Sequence, residues 1–575
     1  MSEPTDAAGR AMRNSPDGGE AVVEAIRNLG IEHVIMAPGS EWSPVWEALT
    51  RQRVENLPGP GYMQIWHETL AVNIATGYTF MTGLPQAVLL HAGVGPMQAM
   101  MAINAALQSE IPMLVLAGES VTLGADPGLR MEAQWYGGVS PGGIDRLIAP
   151  SVKWSGLVPS APTLYRSLVR AGEMAQRAPR GPVFLDVPLE YMLEGWSPED
   201  DLRSVPPAST TLPVAAELDG LVEEIAAARN PVIVTEFSGR EPGGFEALVA
   251  FAEAGAIPVI GGRTAFYGNF PTDHDLWQGV ETYGHLEDAD LVLLVGARTP
   301  WYPPTDRPTG ARIVSIGDHP HKEWLVYQVM HADAYLEGDI AATLAALAAR
   351  LRERGPAEAV RRARRDRWAG RHAALMSGLR AEREASAGGA LDTLSVCRAL
   401  ERAMPADTVY VDETITHFLT MRHHLPLTRA KSLYKLTVSG LGQGLGLALG
   451  MKLGAPGRPV VLVVGDGSFL YNPIPQAFGA SRDYGLPIVV LIMNNRGYQA
   501  MLNGQRLYYA DGMARRTELT LGFRIDPPVY EEMGAPFGIG GARAETGDEL
   551  AAALERALAE TASGRSYIVN AVLPG

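Results

Sequence analysis

Two stretches of this chain place oxygen donors at the ends of apolar runs. "PVVLVVGDGSF" (459–469) closes with Asp466 between two glycines, and "LPIVVLIMNNRGY" (486–498) contains Asn494 and Asn495. An aspartate between glycines is, by itself, an ordinary turn. The spacing argues for more. The 26 residues between Gly467 and Asn494 suffice for one crossover helix, supplied by "IPQAFGASRDYG". The two runs then read as parallel strands whose carboxyl ends share one sheet edge, where open α/β sheets bind ligands. A carboxylate and an amide oxygen brought together there suit Mg²⁺ or Ca²⁺. The flanking glycines let backbone N–H groups approach a phosphate. Mg²⁺ keeps few protein ligands and fills its shell with phosphate oxygens and water, so the pair predicts a diphosphate bridged by a metal.

A further acid lies far upstream. "QIWHETLAVNIATGY" sets Glu68 at the start of a helix with Leu70, Ile74 and Tyr78 on one face, a position the helix dipole alone favours for an acid. The Gly-rich "SGLGQGLGLALG" (439–450) spells neither a dinucleotide nor a P-loop fingerprint, and alone reads as close helix packing.

Taken together, these motifs resemble the thiamine-diphosphate signature of the decarboxylase and acetolactate-synthase-like superfamily. The resemblance covers nearly the whole chain. It implies three doubly wound parallel-sheet α/β domains: pyrimidine-binding (19–200), middle (201–345) and diphosphate-binding (388–575). A flexible lead (1–18) and a helical linker (346–387) complete the chain. The implied cofactors are thiamine diphosphate and Mg²⁺, the metal held by Asp466, Asn495 and the Gly497 carbonyl. The Gly467 and Ser468 amides, with Thr414 and Thr416 of "DETIT", would contact the diphosphate. Glu68 would hydrogen-bond N1′ of the aminopyrimidine, Leu441 would wedge the cofactor into its bent shape, and the Ser439 carbonyl would face N4′. The family also implies an active site between subunits, hence a homodimer or homotetramer.

Within the superfamily, "MAPGSEWSP" carries Ser40 where acetolactate synthases usually show a second glycine. It looks more like benzoylformate decarboxylase, in which that serine engages the substrate carboxylate. "NNRGYQAM" puts Met501 where pyruvate decarboxylases carry a glutamate. His91, in "LLHAGVG", ends a strand and is an acid/base candidate, although a lone histidine is more often structural. Gln134, in "EAQWYG", corresponds by resemblance to a pocket-lining glutamine. His67 and His274 discriminate little, and His417 reads as structural. The expected reaction is decarboxylation or carboligation of a non-pyruvate 2-oxoacid. The alternatives are an acetolactate-synthase-like transferase and a 2-hydroxyacyl(-CoA) lyase. A non-catalytic regulatory relative is disfavoured, because Glu68 and the metal pair are intact.

These residues need sheets to position them, and strand-like runs do alternate with helix-like ones almost throughout. "HVIMAP", "QAVLLHAGVG" and "PMLVLAGES" serve the first third, and "SVPPASTTLPVA" (204–215) reads as a linker. "NPVIVTEFSG", "AIPVIGG", "LVLLVGA" and "RIVSIGD" serve the middle, which in some relatives binds flavin or a CoA-type nucleotide. The Ala/Arg-rich stretch 340–386 reads as solvated helices. At 575 residues, several domains are required. A net charge of −16 argues against a general nucleic-acid binder. The single cysteine, Cys397, excludes an internal disulfide and fits a reducing compartment. The polar N-terminus and short apolar runs suggest neither a secretory signal nor a membrane span, so a cytoplasmic enzyme is expected.

Overall fold

Runs such as Val88–Leu90 and Val460–Val464 are apolar at every position, a pattern that suits strands covered by helices on both faces. In the computed structural model, which describes residues 16–119, 143–198, 202–325, 328, 331–386, 389–436, 440–519 and 521–574, such runs form three parallel sheets. The first contains β1 (His33–Met36), β2 (Gly61–Gln64), β3 (Gln86–Leu90), β4 (Met113–Glu119), β5 (Trp154–Leu157) and β6 (Pro182–Pro188). The second contains β7 (Pro231–Thr235), β8 (Val259–Gly261), β9 (Leu291–Val295), β10 (Arg312–Gly317) and β11 (Ala334–Glu337). The third contains β12 (Val409–Glu413), β13 (Leu433–Lys435), β14 (Val460–Gly465), β15 (Val489–Asn494), β16 (Gly540–Ala544) and β17 (Tyr567–Val572).

The first sheet runs β2-β1-β3-β4-β6-β5 and the third runs β13-β12-β14-β15-β17-β16, which is the same order. The middle sheet runs β11-β10-β9-β7-β8. In the outer sheets the winding reverses between the first strand and the third. The carboxyl ends of β1 and β3, and those of β12 and β14, are therefore topological switch points, where a crevice opens.

By internal packing the chain forms two compact units. One comprises the chain up to Ala75 together with Leu84–Ala208, and holds the first sheet. The other comprises Thr76–Gly83 and Ser209–Gly575, and holds the remaining two. Inside the second unit, a Cβ on Gly77 would overlap the Leu447 carbonyl, so only glycine admits the Gly444–Gly454 helix so closely. Phe80, Tyr267 and Tyr434 cluster there with ring centroids 5.0–5.4 Å apart. The Arg422 guanidinium donates to the carbonyls of Gly262 and Arg263, tying the third sheet's unit core to β8's end.

The Arg-rich stretch forms helices Ile340–Arg354 and Glu358–Ala385. The longer buries little beyond Arg364, Trp368, Leu379 and Arg383, so most of its charges are solvated. Arg364 donates to the Gly255 and Ile225 carbonyls. Among the described residues, no helix is long and apolar enough to cross a membrane.

Candidate functional site

At the switch point of the first sheet, β1 leads through Pro38 and Gly39 into a 3-10 turn, Ser40–Trp42. The buried Trp42 indole N–H donates to the Leu90 carbonyl at 2.8 Å, clamping this turn to the end of β3. His91 follows directly. Between them lies Glu41, fully buried. Its Oε1 accepts the Ala92 N–H at 2.7 Å, and its two oxygens lie 3.0 and 2.9 Å from His91 Nδ1. A Cβ on Gly39 would overlap both the Glu41 carboxylate and His91 Nδ1, and one on Gly118 would overlap the Glu41 side chain. The hydrogen bond that the Glu41 carboxylate accepts from the ring raises the His91 pKa above its usual 6.5, and the Glu68 charge adds to this against burial.

Ser40 is exposed on the same turn, its carbonyl accepting the Ser43 hydroxyl at 2.6 Å. Glu68 is the first residue of the helix Glu68–Thr82 and is partly buried. Thr69 fastens that helix start by donating to the Gln98 carbonyl. Next to Glu68, burial lowers the His67 pKa. On the same sheet edge, burial and then the neighbouring Glu119 carboxyl push Asp186 up to about 9. Gln134 lies outside the described residues.

The third sheet presents the other group. Gly465 is extended, with φ −67° and ψ 149°, and Asp466 starts a short helix running to Tyr471. The Gly-Asp-Gly stretch is thus a helix start and not the separate turn that its composition suggests. Asp466 Oδ2 and Asn495 Oδ1 both accept the Gly497 N–H, at 3.1 and 3.2 Å. Arg496 between the loop residues has φ +59°, the left-handed backbone that folds Asn495 and Gly497 together. Asn494 donates its side-chain amide to Asn570 Oδ1 within the sheet at 3.1 Å, and its Oδ1 accepts the Arg496 N–H at 3.2 Å, bracing the same loop.

One carboxylate and one amide oxygen converging on a single N–H are hard donors, and they fit Mg²⁺. Among the described residues no three His, Cys, Asp or Glu side chains gather as a metal site, so such an ion would draw its other ligands from phosphate, carbonyl or water. Burial raises the Asp466 carboxyl. The Gly467 N–H donates to Asp466 Oδ1 at 2.8 Å, and a Cβ on Gly467 would stand 2.5 Å from the Tyr498 ring. Ser468 is buried, and a cavity beside Asn495 and Gly497 is lined by Tyr498, Leu502, Arg506 and Arg524.

After β12, the Thr414 N–H and hydroxyl both donate to Asp412 Oδ1, at 2.8 and 2.7 Å. Thr416 is exposed. The residue before them, Glu413, is buried and accepts the N–H groups of Gly442, Gln443 and Gly444 and the Asn472 amide. It anchors the glycine-rich turn, in which Gly440 (φ +129°) and Gly442 (φ +91°) flank a partly buried Leu441. Ser439 lies outside the described residues. Met501 is half exposed on the helix Gln499–Tyr508.

His417 Nδ1 pairs with the Thr393 hydroxyl at 2.8 Å, and His274 Nδ1 accepts the Leu276 N–H. In the middle sheet's loops, Trp301 is buried and the Arg298 guanidinium stacks 3.7 Å over Phe237. Glu41 and Glu413 are absent from the sequence-level candidates. The one available signal was an acid inside an otherwise apolar or glycine-rich motif.

Three models of one enzyme family match the chain: thiamine pyrophosphate enzyme N-terminal TPP binding domain over 16–134, central domain over 218–347, and C-terminal TPP binding domain over 416–571. The chain is 28% identical to a benzoylformate decarboxylase of Pseudomonas aeruginosa, covering 94% of this chain and 96% of that one. It is 26% identical to the acetolactate synthase isozyme 2 large subunit of Escherichia coli, covering 94% and 93%. Its structure resembles a thiamine diphosphate-dependent 4-hydroxybenzoylformate decarboxylase of Rhodococcus jostii RHA1, with a TM-score of 0.78 at 25% identity over 97% and 99% of the chains.

Proposed function

The chain belongs to the thiamine pyrophosphate enzyme family, and on that premise we propose that it uses thiamine diphosphate and Mg²⁺ to decarboxylate or ligate a 2-oxoacid other than pyruvate. The observation that carries this reading is the hydrogen-bonded His91 beside Ser40 at the first sheet's switch point. Loss of CO₂ leaves an electron pair that must receive a proton, and a histidine with a raised pKa can supply one near neutral pH.

Asp466, Asn495 and the Gly497 carbonyl hold Mg²⁺ in this reading, and Thr414, Thr416, Gly467 and Ser468 contact the diphosphate. When bound, thiamine diphosphate supplies the electron sink for the bond that breaks. Glu68 hydrogen-bonds the aminopyrimidine, Leu441 supports its bent shape, and Ser439 offers a carbonyl to it. The Ser40 hydroxyl binds the substrate carboxylate. Met501 and Gln134 line the pocket, the former as an apolar wall. His91 delivers its proton to the reacting carbon. Residues 19–200 carry the pyrimidine side and 388–575 the diphosphate side, with 201–345 as middle domain and 346–387 as linker. Sites between subunits of a cytoplasmic homodimer or homotetramer complete the proposal.

Release of CO₂ from benzoylformate-type and branched 2-oxoacids, with and without an acceptor aldehyde, tests it. If no 2-oxoacid loses CO₂, the reading is wrong. Formation of acetolactate from pyruvate, or of formyl-CoA from a 2-hydroxyacyl-CoA, would favour the transferase or lyase alternative; the acetolactate synthase relatives support the former, whereas Ser40 supports the decarboxylase reading.

A further inference from the structure

Burying a tyrosine completely is costly unless its hydroxyl finds a hydrogen-bond partner. Tyr530 is fully buried, and its hydroxyl has no such partner among the described residues. Phenylalanine would fill the same space without leaving a polar atom unpaired. The hydroxyl therefore calls for an explanation beyond packing.

Its surroundings supply one. Tyr530 opens the 3-10 turn Tyr530–Glu532, and the next residue anchors that turn to the third sheet. Glu531 Oε2 accepts the Asn570 amide at 2.8 Å, and Asn570 Oδ1 accepts the Asn494 amide at 3.1 Å. The turn is thus tied to the end of β15, which leads straight into Asn495 and Gly497. The Tyr530 ring meets Phe469 edge-on, with centroids 5.9 Å apart. Phe469 stands three residues after Asp466 on one short helix, hence on the same helix face. The Asp466 carboxylate is engaged elsewhere: Oδ1 accepts the Gly467 N–H and Oδ2 the Gly497 N–H. Burial first, then Asp466 and Tyr498, raise the Tyr530 pKa above its usual 10. The hydroxyl keeps its hydrogen and stays a donor.

We infer that Tyr530 is a positioning residue for the metal: its hydroxyl donates to an oxygen in the shell of the Mg²⁺ that Asp466 and Asn495 hold. That oxygen belongs to a water or to the diphosphate. The inference rests on the metal-binding role proposed for Asp466. Mg²⁺ keeps several waters and draws on phosphate oxygens, so acceptors of this kind come with the ion. Outer hydrogen bonds orient a metal's ligands and tighten its hold.

The test compares Tyr530→Phe with the parent full-length chain in two measurements that do not read turnover. Calorimetric titration with thiamine diphosphate in Mg²⁺ should give a dissociation constant weakened roughly tenfold in the variant. Titration with Mg²⁺ alone separates the two sources. Weakening there assigns the oxygen to water, and weakening only with the cofactor present assigns it to the diphosphate. Urea unfolding in EDTA without cofactor should show the opposite sign. The variant's midpoint should equal or exceed the parent's, because the fold itself offers the hydroxyl no partner. With saturating Mg²⁺ and thiamine diphosphate, the parent should gain more than the variant. Equal affinity of variant and parent for both ligands overturns the inference, and so does a variant less stable in EDTA. A parent chain that binds neither ligand would instead overturn the metal-binding reading, and the inference with it.

Discussion

Glu413 offers a sharp test of how the third sheet positions the glycine-rich turn at its edge. Its buried carboxylate accepts three consecutive backbone N–H groups, from Gly442 at 2.6 Å and from Gln443 and Gly444 at 3.0 Å, together with the Asn472 amide at 2.9 Å. Burial raises the Glu413 pKa, and these donors oppose it. Glu413→Ala would strand three buried backbone amides, each costing about 1–3 kcal/mol when left unsatisfied, while the Asn472 amide keeps its bond to the Ser468 carbonyl. Water entering the vacated space holds the loss near the lower bound, roughly 3 kcal/mol in total. That is a large share of a net stability of about 5–15 kcal/mol. The turn carrying Leu441 should relax at the same time. Urea unfolding followed by circular dichroism, and calorimetric titration with thiamine diphosphate, read the two effects separately. We expect an earlier unfolding transition and a cofactor dissociation constant weakened at least about tenfold, or ~1.4 kcal/mol. Glu413→Gln, which keeps one acceptor oxygen, should fall between. An alanine variant with both quantities unchanged would refute the anchoring role.

Gly442→Ala should also weaken cofactor binding, because φ is +91° and the new Cβ would overlap the Tyr471 carbonyl; unaltered binding would contradict the geometry of the turn. Asp186 sits at about 9 when folded, far above its ordinary 3.8, so its contribution to stability is full below pH 4 and is lost as pH rises toward 9. Asp186→Asn should therefore be more stable than the parent at pH 8, with the difference shrinking toward pH 4, as urea midpoints at the two pH values would report. Glu68→Gln should remove nearly all turnover while thiamine diphosphate still binds; retained turnover would contradict its assigned role.

The sheets, their parallel pairing and the oxygen pair at the third sheet's edge were readable because each rests on local pattern: apolar runs, one crossover length, and two polar motifs at strand ends. The doubled asparagine hid a division of labour. Asn494 faces its sheet neighbour Asn570, and only Asn495 turns to Asp466, a choice set by strand register and the Arg496 backbone. The start of the Asp466–Tyr471 helix was masked by the turn-forming composition of Gly-Asp-Gly. Glu41 and Glu413 escaped for a different reason. Their partners lie 50 residues away at His91 and about 30 away in the glycine-rich turn, so no local spacing announces them. Only the winding of each sheet brings such pairs to one switch point. Ser40 and Met501 could be placed on their motifs, but the pocket shape that selects a substrate is built by long-range packing.

The claim on which the rest depends is the metal-bridged hold on the cofactor at Asp466. Calorimetric titration of metal-free protein with thiamine diphosphate, in Mg²⁺ and in EDTA, tests it most directly when Asp466→Ala is run beside the parent chain. Binding should be tight for the parent in Mg²⁺, and lost both in EDTA and in the variant. Equal affinity in all three titrations would contradict the account.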